Sequence, residues 1–234
     1  MRYELFYWPG IQGRGEFVRL ALEEADADYV DVARRKDGIA KMMREMNAGP
    51  HPPFAPPFFK AGNLVIAQTA NILLYIGDHH GLAPRSEAGR LWTHQLQLTI
   101  ADVVAEAHNV HHPVAANLYY DDQKREARLA AKSFIKERIP KYLGYFESVL
   151  ERAGGDFLLG RKITYADLSL FQLVEGLRYA FPRAMKRAEH KLRRVVALHD
   201  KVMKREQIAA YLASPRRLPF NEEGIFRHYP ELDA

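Results

Sequence analysis

Residues 7–16 read YWPGIQGRGE: an aromatic pair, three glycines and an arginine, set between an apolar segment and an amphipathic one. Tyr3 to Trp8 has the composition of a strand, and Phe17, Leu20, Ala21 and Ala25 carry a helical stripe. The first turn of a helix leaves backbone N–H groups without acceptors, so this junction is suited to holding an anion. A dinucleotide would need G-x-G-x-x-G at the head of a doubly wound sheet. Gly10, Gly13 and Gly15 give G-x-x-G-x-G instead, and one βαβ unit precedes a chain that turns helical. Gln68-Thr69 opens a second helix where an anion could sit. Asp102 and Glu106 lie four apart on one helical face. His108, His111 and His112 have spacing that could hold a metal, but no acidic partner accompanies them. They are read as polar lining or surface histidines, and no metal is expected.

The elements that must position these residues follow from periodicity. After the first helix come a short strand (28–32), a short helix (39–46) and a proline-rich stretch with Pro56 and Pro57. Two apolar runs flanking Ala61-Gly62-Asn63 form a hairpin, and a helix follows from 68 to 79. GLAPRSEAG has linker composition, and everything after it reads helical: 91–117, then 121–153 with a kink at Pro140, then 168–181, then 195–211. Thr164 to Asp167 has the pattern of a capping box, with Ile163 and Leu168 as a hydrophobic staple. The fold class is therefore α+β: a small βαβαββα domain (1–81), a linker (82–89), an all-helical domain (90–213) and a tail (214–234). Phe220, Ile225, Phe226 and Tyr229 make the tail too apolar to hang free, so it is expected to pack on the body.

The chain has 234 residues, a net charge of +5 and no cysteine. The last point excludes mechanisms that run through a protein thiol or thiolate-bound metal. It also fits a reducing cytoplasm, the expected location. No apolar run approaches the roughly 20 residues of a membrane helix, and the N-terminus reads as carrying no secretory leader. The sequence pI of about 9.3 mildly favours anionic partners. No nucleic-acid motif accompanies it, and Lys186 to Arg194 reads as a solvated basic face.

The order of elements, together with Tyr7-Trp8, Gln12-Gly13-Arg14-Gly15-Glu16, Pro57, Gln68-Thr69 and the segment from Gly160 to Asp167, resembles the cytosolic glutathione transferases. The tyrosine-type classes are the nearest, in pattern the sigma- and mu-like ones. The resemblance implies that the first domain is thioredoxin-like. It also implies that glutathione is the co-substrate, that a small, mostly apolar electrophile is the second substrate, and that the chain is a detoxifying homodimer. Tyr7 would stabilise the glutathione thiolate, with Arg14 as helper. Trp8, Lys41, Pro56, Pro57, Gln68 and Thr69 would bind the tripeptide. Either Asp102 or Glu106, from the partner subunit, would meet the γ-glutamyl ammonium. His108 and Asn109 would touch the electrophile.

Two departures bear on this expectation. The loop from Tyr7 to Gly13 is one residue longer than in those classes. Pro56 stands where the family usually has a residue that pairs with glutathione through both N–H and C=O, and proline has no N–H. These departures favour an alternative: a non-catalytic protein of the same fold that binds ligands or partners. The basic pI leaves a second one, an interaction module for nucleic acid.

Overall fold

The computed structural model describes residues 2–233. Strand β1 (Tyr3–Phe6) is central and buried on both faces, which is why it reads as an almost unbroken apolar run. Helix α1 (Gly15–Glu24) returns the chain to β2 (Tyr29–Asp31), which pairs parallel with β1. Helix α2 (Gly38–Met46) follows, and the hairpin β3 (Phe58–Ala61) and β4 (Leu64–Ala67) completes a mixed sheet in the order β2-β1-β3-β4. Helix α3 (Thr69–His80) closes the domain on Gly81, in left-handed conformation.

The two faces of the sheet are covered differently. Phe6 and Phe58 stack with ring centroids 4.4 Å apart and pack under Met42 of α2 in a small core. The other face, with α1 and α3, joins a core that continues through the helical domain. That domain holds α4 (Glu87–Val110), α5 (Lys124–Ser133), α6 (Ile139–Ala153) and α7 (Tyr165–Ala180). It ends with α8 (Pro182–Glu189), α9 (Arg193–Met203) and α10 (Glu206–Leu212). Helix α4 begins inside the stretch read as a linker, and Leu82 within that stretch is buried, its carbonyl accepting from Tyr165 N–H.

The helix expected from 121 to 153 is divided. A π turn, Phe134–Arg138, lies between α5 and α6, and Pro140 falls in the first turn of α6. Proline crowds the carbonyl of the preceding turn and offers no N–H. The chain responds by widening, so that Ile139 N–H bonds Phe134 C=O. The helix expected over 195–211 is likewise two helices, broken where Arg205 adopts an extended backbone. The capping box is present: Thr164 N–H donates to Asp167 Oδ2 at 2.7 Å. The tail is folded back on the body, with Ile225 and Phe226 buried and the Phe226 ring filling the space above Gly176.

Candidate active site

Tyr7 follows β1 directly and is 4% exposed. Gly13 and Gly15 lie against it: a Cβ on Gly13 would stand 2.1 Å from the Tyr7 hydroxyl, and one on Gly15 2.5 Å from its ring. Gly13 also has a positive φ of 44°. Gly13 and Gly15 are therefore not a phosphate cradle. They let the backbone pass close over a tyrosine ring.

The backbone N–H of Arg14, at the start of α1, donates to Tyr7 Oη at 2.8 Å. That bond uses an acceptor lone pair and leaves the hydroxyl proton available. Burial pushes the Tyr7 pKa up, against the opposing pull of the Arg14 N–H and the positive charges of Arg14 and Arg19. Tyr7 is thus held as a neutral hydroxyl, a donor and not a base.

Arg14 and Arg19 lie five residues apart and have opposite surroundings. Arg19 is fully buried and paired, with Nε 2.7 Å from Asp31 and one guanidinium nitrogen 3.1 Å from Glu16. Glu16 also accepts from Tyr211 and from Arg217, each at 2.6 Å. This buried network ties α1 to α10 and the tail. The Arg14 side chain instead borders a cavity of about 350 Å³, together with Phe17, Gln68, Thr69, His94 and Gln97.

Pro56 and Pro57 are joined by a cis peptide immediately before β3. Gln68 has φ +70° and ψ 122°, an uncommon conformation for a residue with a side chain, held directly ahead of α3. Within α3 the first backbone N–H with a helical acceptor is Ile72, bonded to Gln68 C=O, so the amides of Thr69, Ala70 and Asn71 face outward from the helix start. Thr69 Oγ1 is buried without a hydrogen-bond partner. Arg14, Gln68 and Thr69 therefore meet at one cavity, with Tyr7 beneath Arg14.

Other expected residues are placed differently. Trp8 is 40% exposed beside the site. Lys41 forms an ion pair with Glu4 and lies 5.7 Å from the Phe6 ring centroid. Asp102 is exposed on α4, whereas both carboxylate oxygens of Glu106 are engaged by its own chain. Arg138 donates to them at 2.7 and 2.6 Å, and Tyr142 adds a bond at 2.7 Å. Those partners hold the Glu106 pKa down, the Arg138 bond first. Of the two expected carboxylates, Glu106 is bonded within its own chain and Asp102 is exposed.

The histidines at and just past the end of α4 are clustered, with His108 stacked on His112 at 4.9 Å and edge-on to His111 at 5.1 Å. His111 Nε2 donates to Ile225 C=O at 2.8 Å and His112 Nδ1 to Leu118 C=O at 3.0 Å, so those nitrogens carry protons and do not face a metal. Desolvation lowers the His108 pKa to about 4, and Arg14 and Arg227 are among its charged neighbours. Asn109 is exposed next to it.

Gln12 was not legible as a site residue in the sequence. It is buried, accepts at 2.7 Å from Gln172 Nε2 on α7, and donates to Leu218 C=O in the tail. His94 and Gln97 were also missed. They belong to no local motif, and only the approach of α4 to α3 brings them to the cavity.

Known proteins resemble this chain in sequence and in fold. Residues 108–215 match the family model described as glutathione S-transferase, C-terminal domain. The chain is similar to a glutathione S-transferase of Plasmodium yoelii yoelii, 23% identical over 177 residues, or 75% of this chain and 78% of the relative. It is 27% identical over 192 residues to glutathione S-transferase A4 of Bos taurus, covering 79% of this chain and 78% of that one. Among solved structures, the Pi-class glutathione S-transferase of Onchocerca volvulus superposes with a TM-score of 0.74 at 21% identity, over 96% of this chain and 99% of that one. The prostaglandin synthase D of Nilaparvata lugens gives 0.73 at 19% identity, over 94% and 100%. With a thioredoxin-like sheet leading into a helical domain whose residues 108–215 match the glutathione S-transferase C-terminal model, the chain is similar to the glutathione S-transferases in sequence and in fold.

Proposed function

We infer that the protein is a glutathione transferase and that Tyr7 activates the thiol. The supporting observation is the buried Tyr7 hydroxyl, fixed by the Arg14 N–H at 2.8 Å with its own proton free to donate. A free thiol titrates near 8.5, so only a few per cent is thiolate at neutral pH. Lowering its pKa by about two units requires about 2.7 kcal/mol of preferential stabilisation of the anion. One charge-assisted hydrogen bond from Tyr7, with the positive end of α1 and the Arg14 guanidinium nearby, is of that size. The thiolate sulfur then attacks an electrophilic carbon. A carbon–sulfur bond forms while the leaving group departs with its electron pair, or, in an addition, the adjacent atom takes a proton.

Gln68, Thr69 and the first-turn amides of α3 are the γ-glutamyl carboxylate site in this reading, with Pro57 and Pro56 beside the cysteinyl backbone. Trp8 and Lys41 serve the glycyl end. His108 and Asn109 border the second substrate, a small electrophile. Asp102 reaches the γ-glutamyl ammonium of a partner subunit, which makes the working form a homodimer. Disposal of electrophiles in the cytoplasm is the role this assembly implies.

The test is conjugation of glutathione to a model aryl halide. The protein should form the thioether, and Tyr7→Phe should lose most of kcat while still binding glutathione. Equal turnover by both would remove Tyr7 from the chemistry.

A further inference from the structure

The cavity beside Arg14 contains more polar groups than a carboxylate needs. Three side-chain atoms among its lining residues are buried without a hydrogen-bond partner: Thr69 Oγ1, His94 Nδ1 and Gln97 Oε1. Gln97 is 1% exposed. A buried polar group left unpaired costs about 1–3 kcal/mol, so three at one cavity mark a place where a ligand supplies the partners.

The groups present differ in sign. Donors and positive charge lie on one side: the Arg14 guanidinium and the free amides of Thr69, Ala70 and Asn71. Acceptors lie on α4, from Gln97 and His94. Burial lowers the pKa of His94, which keeps its imidazole neutral and able to accept. Leu98 and Ala101 complete the α4 wall without a carboxylate. A ligand that matches both sides carries a carboxylate and an ammonium on neighbouring atoms, as an α-amino acid head does.

We propose that Gln97, assisted by His94, binds the α-ammonium of the γ-glutamyl group from within the same chain. This rests on the reading of glutathione as substrate and adds to it two specificity-determining residues on α4. The α-carboxylate lies against Arg14, Thr69 and the start of α3. The ammonium turns toward Gln97 Oε1 and His94 Nδ1 and keeps a third N–H for Asp102 of the partner subunit. The chain thereby selects a free γ-glutamyl amine through neutral acceptors of its own.

The test compares the dissociation constants of glutathione and glutaryl-cysteinyl-glycine, which lacks only the ammonium. These are measured on the full-length protein and on Gln97→Met and Gln97→Glu. The protein should prefer glutathione by about tenfold or more, the value of one hydrogen bond to a charged group. Gln97→Met should lose about tenfold for glutathione and leave the analogue within about twofold, narrowing the gap by that factor. Gln97→Glu should widen it. Equal losses for both ligands in Gln97→Met, or a gap unchanged in both variants, would overturn the proposal while leaving the transferase reading in place. A gap that disappears only in Asp102→Asn would assign the ammonium to the partner subunit and also overturn it. Failure of the native protein to bind either ligand would overturn both readings.

Discussion

Gln172 on α7 donates its side-chain amide to Gln12 Oε1 at 2.7 Å, joining the helical domain to the turn that carries Tyr7. Gln12 passes the connection on to Leu218 C=O, and Asn221 adds a bond to Gly10 C=O at 2.9 Å. Arg217 bridges Gln172 and Glu16 at 3.0 and 2.6 Å. The turn between β1 and α1 is thus held from α7 and from the tail. These bonds hold the turn that brings the Arg14 N–H to the Tyr7 hydroxyl.

Gln172→Leu tests that connection. It leaves the Gln12 amide oxygen buried without its donor, which should cost about 1–3 kcal/mol in denaturant unfolding. It should also lower kcat for conjugation several-fold, because the Tyr7–Arg14 geometry loosens. A stability loss with unchanged kcat would make the connection purely structural.

The two acidic residues of α4 should separate in binding experiments. Asp102→Asn should weaken glutathione about tenfold in calorimetry, the value of one charge-assisted contact. Glu106→Gln should leave binding unchanged, because Glu106 is spent on Arg138 and Tyr142. Its partly exposed ion pair contributes little, about 0–1 kcal/mol of stability.

Pro56 removes one backbone donor from the site. Pro56→Val restores it and should tighten glutathione by about three- to tenfold, the net worth of one hydrogen bond. Unchanged affinity would show that the ligand backbone runs elsewhere.

Stability should fall with acid for a reason specific to the end of α4. Burial lowers His108 to about 4 and His111 to about 3, so the native state keeps them neutral while unfolded histidines protonate near 6.5. The unfolded chain binds more protons in that window, so the stabilisation is complete above about pH 6.5 and is lost as pH drops toward 4 and below. Asp167, fully buried and raised to about 6, acts in the opposite sense between about pH 4 and 6, where its folded form is protonated first. Asp31 is raised by burial as well, but His80, His94 and His112 are lowered along with His108 and His111, so the balance is a net loss toward acid. His111→Gln keeps a donor for Ile225 C=O and should flatten the dependence of unfolding free energy on pH between 7 and 4. An unaltered slope would exclude His111 from it.

The sequence carried most of the fold and part of the site, for physical reasons. A period-3.6 pattern marked α3 and α4, which bury one face, while β1 and α7 were marked by nearly continuous apolar runs because they are buried almost all round. The capping box was legible because its four residues are contiguous. The π turn before α6 was read only as a kink, since proline signals disruption without saying how the backbone accommodates it. Tyr7, Arg14, Gln68 and Thr69 are named through the family resemblance, whose motifs fall at the local junctions before α1 and α3. Gln12, Gln172, His94 and Gln97 were not found, because their roles exist only once α4, α7 and the tail close on α1 and α3. Glu106 matched Asp102 in spacing, and Arg138, remote in sequence, is what sets them apart.

The most direct test of the central claim is the ultraviolet absorbance of the glutathione thiolate bound to the protein, titrated with pH for the native form and Tyr7→Phe. A thiol pKa about two units below that of free glutathione, returning toward the free value in Tyr7→Phe, is the predicted result. A bound thiol that titrates as it does in water, identically in both forms, would contradict the assignment of Tyr7 as the group that stabilises the thiolate.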